Sequence, residues 1–144
     1  MKVYVREIKG ELQPYFLIEK RGNLWFGDLW YWAPKKNEVK KFLEISWTDK
    51  RTYITTTWDC DDYTLKLLAD CRDYTRWLVE MEMVKKADAL PWAFCEVWSE
   101  SRNGRRHALN AVLTSNRGLF LIEPQTDKIW KPKVGEDTLI FARG

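Results

Sequence analysis

The chain has 144 residues, 45% of them apolar and 31% charged, with only 7 Gly and 5 Pro, which excludes a fibrous or disordered chain. Its 24 basic and 21 acidic residues leave a net charge of +3 mixed along the sequence, so it lacks the continuous basic block of a nucleic-acid binder. No apolar run approaches the ~20 residues of a membrane span, and Met1 to Gly10 alternates apolar and charged residues where a signal peptide would be continuously apolar.

The first third predicts short strands with turns. Val3-Tyr4-Val5 alternates with charges, Tyr15 to Ile18 follows Pro14, and Gly22-Asn23 precedes Leu24-Trp25-Phe26. Asn37 is placed to cap a short helix through Val39, Phe42 and Leu43 towards Trp47. Thr55 to Thr57 and Asp59 then precede the longest helical pattern. In it Thr64, Leu67, Leu68, Cys71, Tyr74, Leu78 and Met81 recur at three and four residue steps, which predicts a helix from Cys60 to about Lys85.

After Pro91 the pattern changes to strands. Trp92 to Trp98, Arg106 to Thr114 and Leu119 to Glu123 are separated by turns at Arg102-Asn103-Gly104 and Asn116-Arg117-Gly118, and Thr138 to Ala142 adds a last strand. The expectation is a single domain over 1–144: a Trp-rich meander over 1–57, then a catalytic helix and antiparallel sheet over 58–144. Its class would be α+β, with the long helix packed on the sheet.

Three cysteines cannot all pair, and none of their spacings suits a zinc knuckle or redox dithiol. Cys71 lies on the apolar stripe of the helix and Cys95 in an apolar strand, so both read as buried hydrophobes. Cys60 differs, because it opens a helix among Asp59, Asp61 and Asp62, and a helix N-terminus with a nearby imidazolium is where a thiolate is stabilised. The single histidine, His107, begins a strand, and Glu123 ends the next one. A hairpin centred near Ser115 sets the two side by side on one face, with Glu123 as orienter of the ring. The candidate triad is therefore Cys60, His107 and Glu123. The Cys60 backbone N–H serves as one oxyanion donor; the second is unidentified, with Trp58 and the Trp47 to Asp49 turn as options.

The segments Asp59-Cys60-Asp61-Asp62-Tyr63, Arg106-His107-Ala108-Leu109-Asn110-Ala111-Val112 and Leu121-Ile122-Glu123-Pro124-Gln125-Thr126-Asp127 resemble the motifs of papain-like and transglutaminase-like cysteine proteases. The likeness is nearest to the papain-like C-terminal domain of the fungal mushroom agglutinins and its stand-alone bacterial and phage relatives. It covers about Trp58 to Trp130. It implies a hydrolase, a cysteine protease or acyl-transfer enzyme working through a thioester, with Cys60 as thiol nucleophile, His107 as base and acid, and Glu123 as orienter. It also implies calcium as a candidate activator held by Asp59, Asp61 and Asp62, with no cofactor required for the chemistry.

Two other functions compete. Nine tryptophans, with Trp25, Trp30, Tyr31 and Trp32 close together, would suit an aromatic-rich module that binds carbohydrate or peptide without catalysis. A peptidoglycan amidase would use a Cys, His and polar residue in the same order. The expected partner of the peptidase is a protein or peptide substrate, with no nucleic acid and no membrane and a homodimer open. The expected location is cytoplasmic or virion-associated.

Overall fold

Helices form where apolar residues at three and four residue steps follow an acidic capping arrangement. In the computed structural model, which describes residues 1–144, they are α1 (Val5–Leu12), α2 (Lys36–Ile45) and α3 (Cys60–Glu80). All three open alike: the carboxylate at the third helical position accepts the N–H of the residue ahead of the helix. Glu7 accepts from Tyr4 at 2.6 Å, Glu38 from Lys35 at 2.5 Å and Asp62 from Asp59 at 3.1 Å. Each bond satisfies a donor that a helix start leaves open and sets negative charge at the positive end of the dipole. The 21-residue α3 stops at Glu80, short of Lys85, where Glu82 turns the chain at φ 57°.

Eight strands follow the alternating stretches: β1 (Lys2–Tyr4), β2 (Leu24–Trp25), β3 (Trp30–Trp32), β4 (Phe94–Glu100), β5 (Arg106–Thr114), β6 (Gly118–Glu123), β7 (Lys128–Trp130) and β8 (Leu139–Arg143). Six make one sheet in the order β2-β8-β4-β5-β6-β7, and β1 pairs with β3 alone. The large sheet is antiparallel except where β2 runs parallel to β8. Gly118, at φ 81°, closes the β5–β6 turn in a left-handed conformation that a side chain would oppose.

Strand alternation gives the sheet two apolar faces. On one, Cys95, Val97, Leu109, Ala111 and Leu121 pack under Val3, Ile8, Leu12 and Phe16 from the N-terminal segment. On the other, Phe94, Val112, Phe120 and Ile122 pack under Phe42 and Leu43 of α2 and Leu67 and Cys71 of α3.

The expected papain-like and transglutaminase-like α+β class is corrected here. A mixed sheet covered on both faces is the organising layer, and residues 1–57 are not a meander. Ile8 and Leu12, four residues apart and both buried, place α1 where alternation had predicted strand, and only β2 of the early strands joins the large sheet. The alternation of Val3-Tyr4-Val5 does form β1, which ends at Tyr4, and the helical spacing takes over from Val5.

Candidate functional site

Cys60 is the first residue of α3 and is half-buried. The segment before it is pinned to the helix at several points. Asp70 accepts from Thr48 Oγ1 at 2.9 Å and from Ser46 Oγ at 3.1 Å, and Tyr63 Oη donates to the Arg51 carbonyl at 2.5 Å. Trp58 packs edge-on to Tyr63, with the Arg51 guanidinium 4.9 Å from its ring centroid, and its buried indole N–H has no acceptor. Of the two options for a spare donor near Cys60, Trp58 offers one, whereas Trp47 stands 77% exposed. Cys71 and Cys95 are buried, and desolvation pushes both thiols up, Cys95 to about 12.

The strands bring His107 and Glu123 together. His107 Nε2 lies 2.5 Å from Glu123 Oε2. The hairpin is centred one residue later than Ser115: Leu113 pairs with Leu119 and Asn110 with Ile122, so Glu123 sits diagonally across from His107 and reaches it along the shared face. On its other side His107 pairs with Ser99 of β4. By alternation His107 belongs with Leu109 and Ala111, while α3 packs on the face of Asn110 and Val112. No hydrogen bond joins the Cys60 thiol to the His107 ring; the direct contact is the His107–Glu123 pair.

Asn110 carries information that its sequence position concealed. It is fully buried, and its Nδ2 donates to the Thr64 carbonyl of α3 at 3.0 Å, locking the first turns of that helix onto β5. A buried Asn in an apolar strand is the one signal that would have marked it.

Carboxylates crowd this end of the molecule. Asp59, Asp61 and Asp62 present oxygens within 4.8 Å of one another, and a hydrogen bond with Asp61, then desolvation and like charge, push the Asp59 carboxyl up. In the β6–β7 turn, Asp127 adopts φ 59° and buries an oxygen that has no donor. Burial, with the Asp49 carboxylate adding repulsion, raises it to about 6.

The aromatic residues are divided. Tyr31 is buried, its hydroxyl accepting from the Asp28 N–H at 3.1 Å and donating to the Gly144 carbonyl at 3.3 Å. Trp25, Trp30 and Trp32 are exposed, at 62%, 42% and 36%. Trp32 also flanks a cleft of about 940 Å³ between the second half of α3 and residues 83–92. Asp28, Glu38, Arg72, Arg76, Lys85 and Asp88 are its charged groups, and Pro91 and Trp92 are among its apolar ones. Arg72 and Arg76, four apart on α3, share one helix face, a spacing visible in the sequence though not read there as a site.

No family model matches the sequence, and no curated protein matches it. Solved structures share its fold, two of them as follows. One, described as the PSL1a–E64 complex, matches 99% of this chain and 51% of its own at TM-score 0.80 and 13% identity. The other is Polyporus squamosus lectin bound to the human-type influenza-binding epitope Neu5Acα2-6Galβ1-4GlcNAc, matched over 99% of this chain and 49% of its own at TM-score 0.76 and 13% identity. The chain thus spans about half the length of each, and at this identity the likeness is one of fold.

These comparisons correct the family expectation. The architecture is shared with structures of a lectin, and no protease family model matches the sequence. The reading as a hydrolase and papain-like cysteine protease is corrected with it, as is the expectation of a peptide substrate. The motifs misled because short segments around a Cys, a His and an acid fix local geometry without fixing the kind of molecule that carries them. No helix is long and apolar enough to cross a membrane.

Proposed function

We propose that this chain is a carbohydrate-binding module whose ligand lies in the cleft between α3 and residues 83–92, against Trp32. The observation that carries this reading is the cleft itself. It sets an exposed aromatic ring beside carboxylates and guanidinium groups, the pairing of a flat apolar surface with directional polar groups that a pyranose ring presents to its binder. The likeness in fold to a lectin bound to a sialylated trisaccharide supports it. Titration with a panel of soluble oligosaccharides, that trisaccharide included, should quench tryptophan fluorescence saturably. Trp32→Ala should weaken binding at least about tenfold and Cys60→Ala should leave it unchanged. Absence of any saturable change up to about 1 mM sugar would overturn the reading.

A second reading is favoured by the 2.5 Å His107–Glu123 contact. On this reading Cys60, His107 and Glu123 are one reactive-thiol site, reached around the end of β5 because alternation sets His107 on the face away from α3, with the Cys60 backbone N–H and the unpartnered Trp58 indole N–H as donors to a bound carbonyl. A similar structure is described as a complex with E64, so E64 and iodoacetamide are the probes. Mass spectrometry after exposure near pH 6 should find label on Cys60 and none on the buried Cys71 and Cys95, and His107→Ala should slow it. Labelling at the same rate in that variant would dissolve the site into a lone accessible thiol. Asp59, Asp61 and Asp62 offer hard oxygen donors suited to calcium. Added Ca²⁺ should raise the melting temperature of the native protein and leave Asp61→Asn/Asp62→Asn unmoved; equal shifts, or none, would remove calcium.

A further inference from the structure

A second concave surface lies on the far side of α2 from the proposed cleft. The first turn of α2, the β5–β6 turn and the end of β7 enclose a groove of about 500 Å³. Each of these elements contributes cations: Lys36 and Lys40 from α2, Arg117 from the turn and Lys131 after β7. No acidic residue lines the groove, and none of the four cations is ion-paired elsewhere in the protein.

The groove gathers four of the chain's 24 basic residues with no carboxylate among its lining, so its local charge is positive. Like charges gathered without partners repel one another and weaken the fold, which a bound anion would reverse. The floor is built as well. Lys36 Nζ and Lys131 Nζ approach the buried Phe120 ring from two elements, at 4.3 and 5.8 Å from its centroid, and the half-buried Trp130 stands beside them. Asn116 Oδ1 accepts from the Lys36 N–H at 3.1 Å, tying the β5–β6 turn to the start of α2 and leaving the amide nitrogens of Asn37 and Asn116 for a ligand.

We infer that this groove is a second saccharide site, one that takes an acidic oligosaccharide through its sulfate or carboxylate groups. The inference rests on the carbohydrate reading above for the class of ligand; the groove's own charge and size supply the rest. The volume is that of a small-molecule site of roughly 300–1,000 Å³ and holds more than one inorganic ion. Sulfate or carboxylate groups would lie against Lys36, Lys40, Arg117 and Lys131, and an apolar sugar face against Trp130.

The test is calorimetric titration of the full chain with a heparin-derived hexasaccharide, an oligogalacturonate hexamer, a neutral chitin hexamer, inorganic sulfate and a single-stranded oligonucleotide of matched charge. The variant is Lys36→Gln/Arg117→Gln/Lys131→Gln. Its charge-matched control is Arg21→Gln/Arg102→Gln/Arg105→Gln, all exposed and distant in sequence from the groove, and both are checked for an unchanged melting temperature. Native protein should bind at least one acidic hexamer in preference to the neutral one and to sulfate. The groove variant should lose at least about tenfold, and the control less than about threefold.

Equal losses in groove variant and control would overturn the site, since binding would then follow overall charge. Tighter, groove-dependent binding of the oligonucleotide would overturn the saccharide assignment. Neutral sugar bound through Trp32 with no preference for acidic sugar would defeat this inference and leave the carbohydrate reading standing; no sugar bound at all would defeat both.

Discussion

The two faces of the large sheet are closed in different ways. One face assembles 17 buried residues, yet its cover is a helix of eight residues and a pair of three-residue strands, held by backbone bonds between the chain's ends and its middle. Met1 N donates to the Ala33 carbonyl at 2.9 Å, and Gly27 N donates to that of Gly144 at 3.0 Å. The other face assembles only 10, under two regular helices. Stability need not track regularity: an irregular cover can bury more, while a helical one holds its partners in fixed positions.

Adjacent residues of β6 test the difference. Leu121 and Ile122 are both fully buried and point to opposite faces. Each change to Ala should cost about 2–5 kcal/mol, because transfer energy is lost and a cavity remains. The short segments over Leu121 can relax into the gap more readily than α2 and α3 can, so Ile122→Ala should lower the urea midpoint further. The reverse order would mean that the irregular cover is the stiffer one.

A smaller effect probes how the helical face is fastened. Asn110→Ala removes the bond to the Thr64 carbonyl and should cost about 1–3 kcal/mol, with faster amide exchange in the first turns of α3. Its Oδ1 has no partner in the fold, which already costs the native protein something and keeps the loss towards the lower end. An unchanged exchange rate at residues 61–68 would show that apolar packing alone fixes the helix.

This contrast also explains what was legible in the sequence. α3 and β5 announced themselves through long runs at a single period: the helix begins at Cys60 as expected, and β5 spans Arg106–Thr114. β3 and β7 have three residues and β2 has two, too few for any period to register, and the parallel pairing of β2 with β8 depends on contacts 118 residues apart, as between Leu24 and Ala142. Of the candidate site, the nearness of His107 and Glu123 followed from hairpin arithmetic, though the register was off by one at the turn. The cleft beside Trp32 did not follow, because it joins residues from positions 28 to 92 that only tertiary packing brings together. Nor did the kind of protein follow from three short motifs.

The smallest effect concerns the turn after β6, beside the candidate site and belonging to neither face. Asp127 holds its proton up to about pH 6 in the folded protein, against 3.8 ordinarily, because one oxygen is buried without a donor and the Asp49 carboxylate repels its charge. The folded state therefore binds more protons than the unfolded state between these values, and the contribution of this group to stability falls as pH rises through that window. Above about pH 6 the side chain is ionised in both states and the full penalty is present. Asn cannot ionise, and it tolerates the left-handed φ of 59° that this position demands. Asp127→Asn should thus melt higher than the native protein at pH 7.5, and the two should converge below about pH 4. The shift should be modest because the side chain is half exposed and water screens much of the repulsion. A difference that stays constant from pH 4 to 7.5 would place the gain in a new amide hydrogen bond and not in the lost charge.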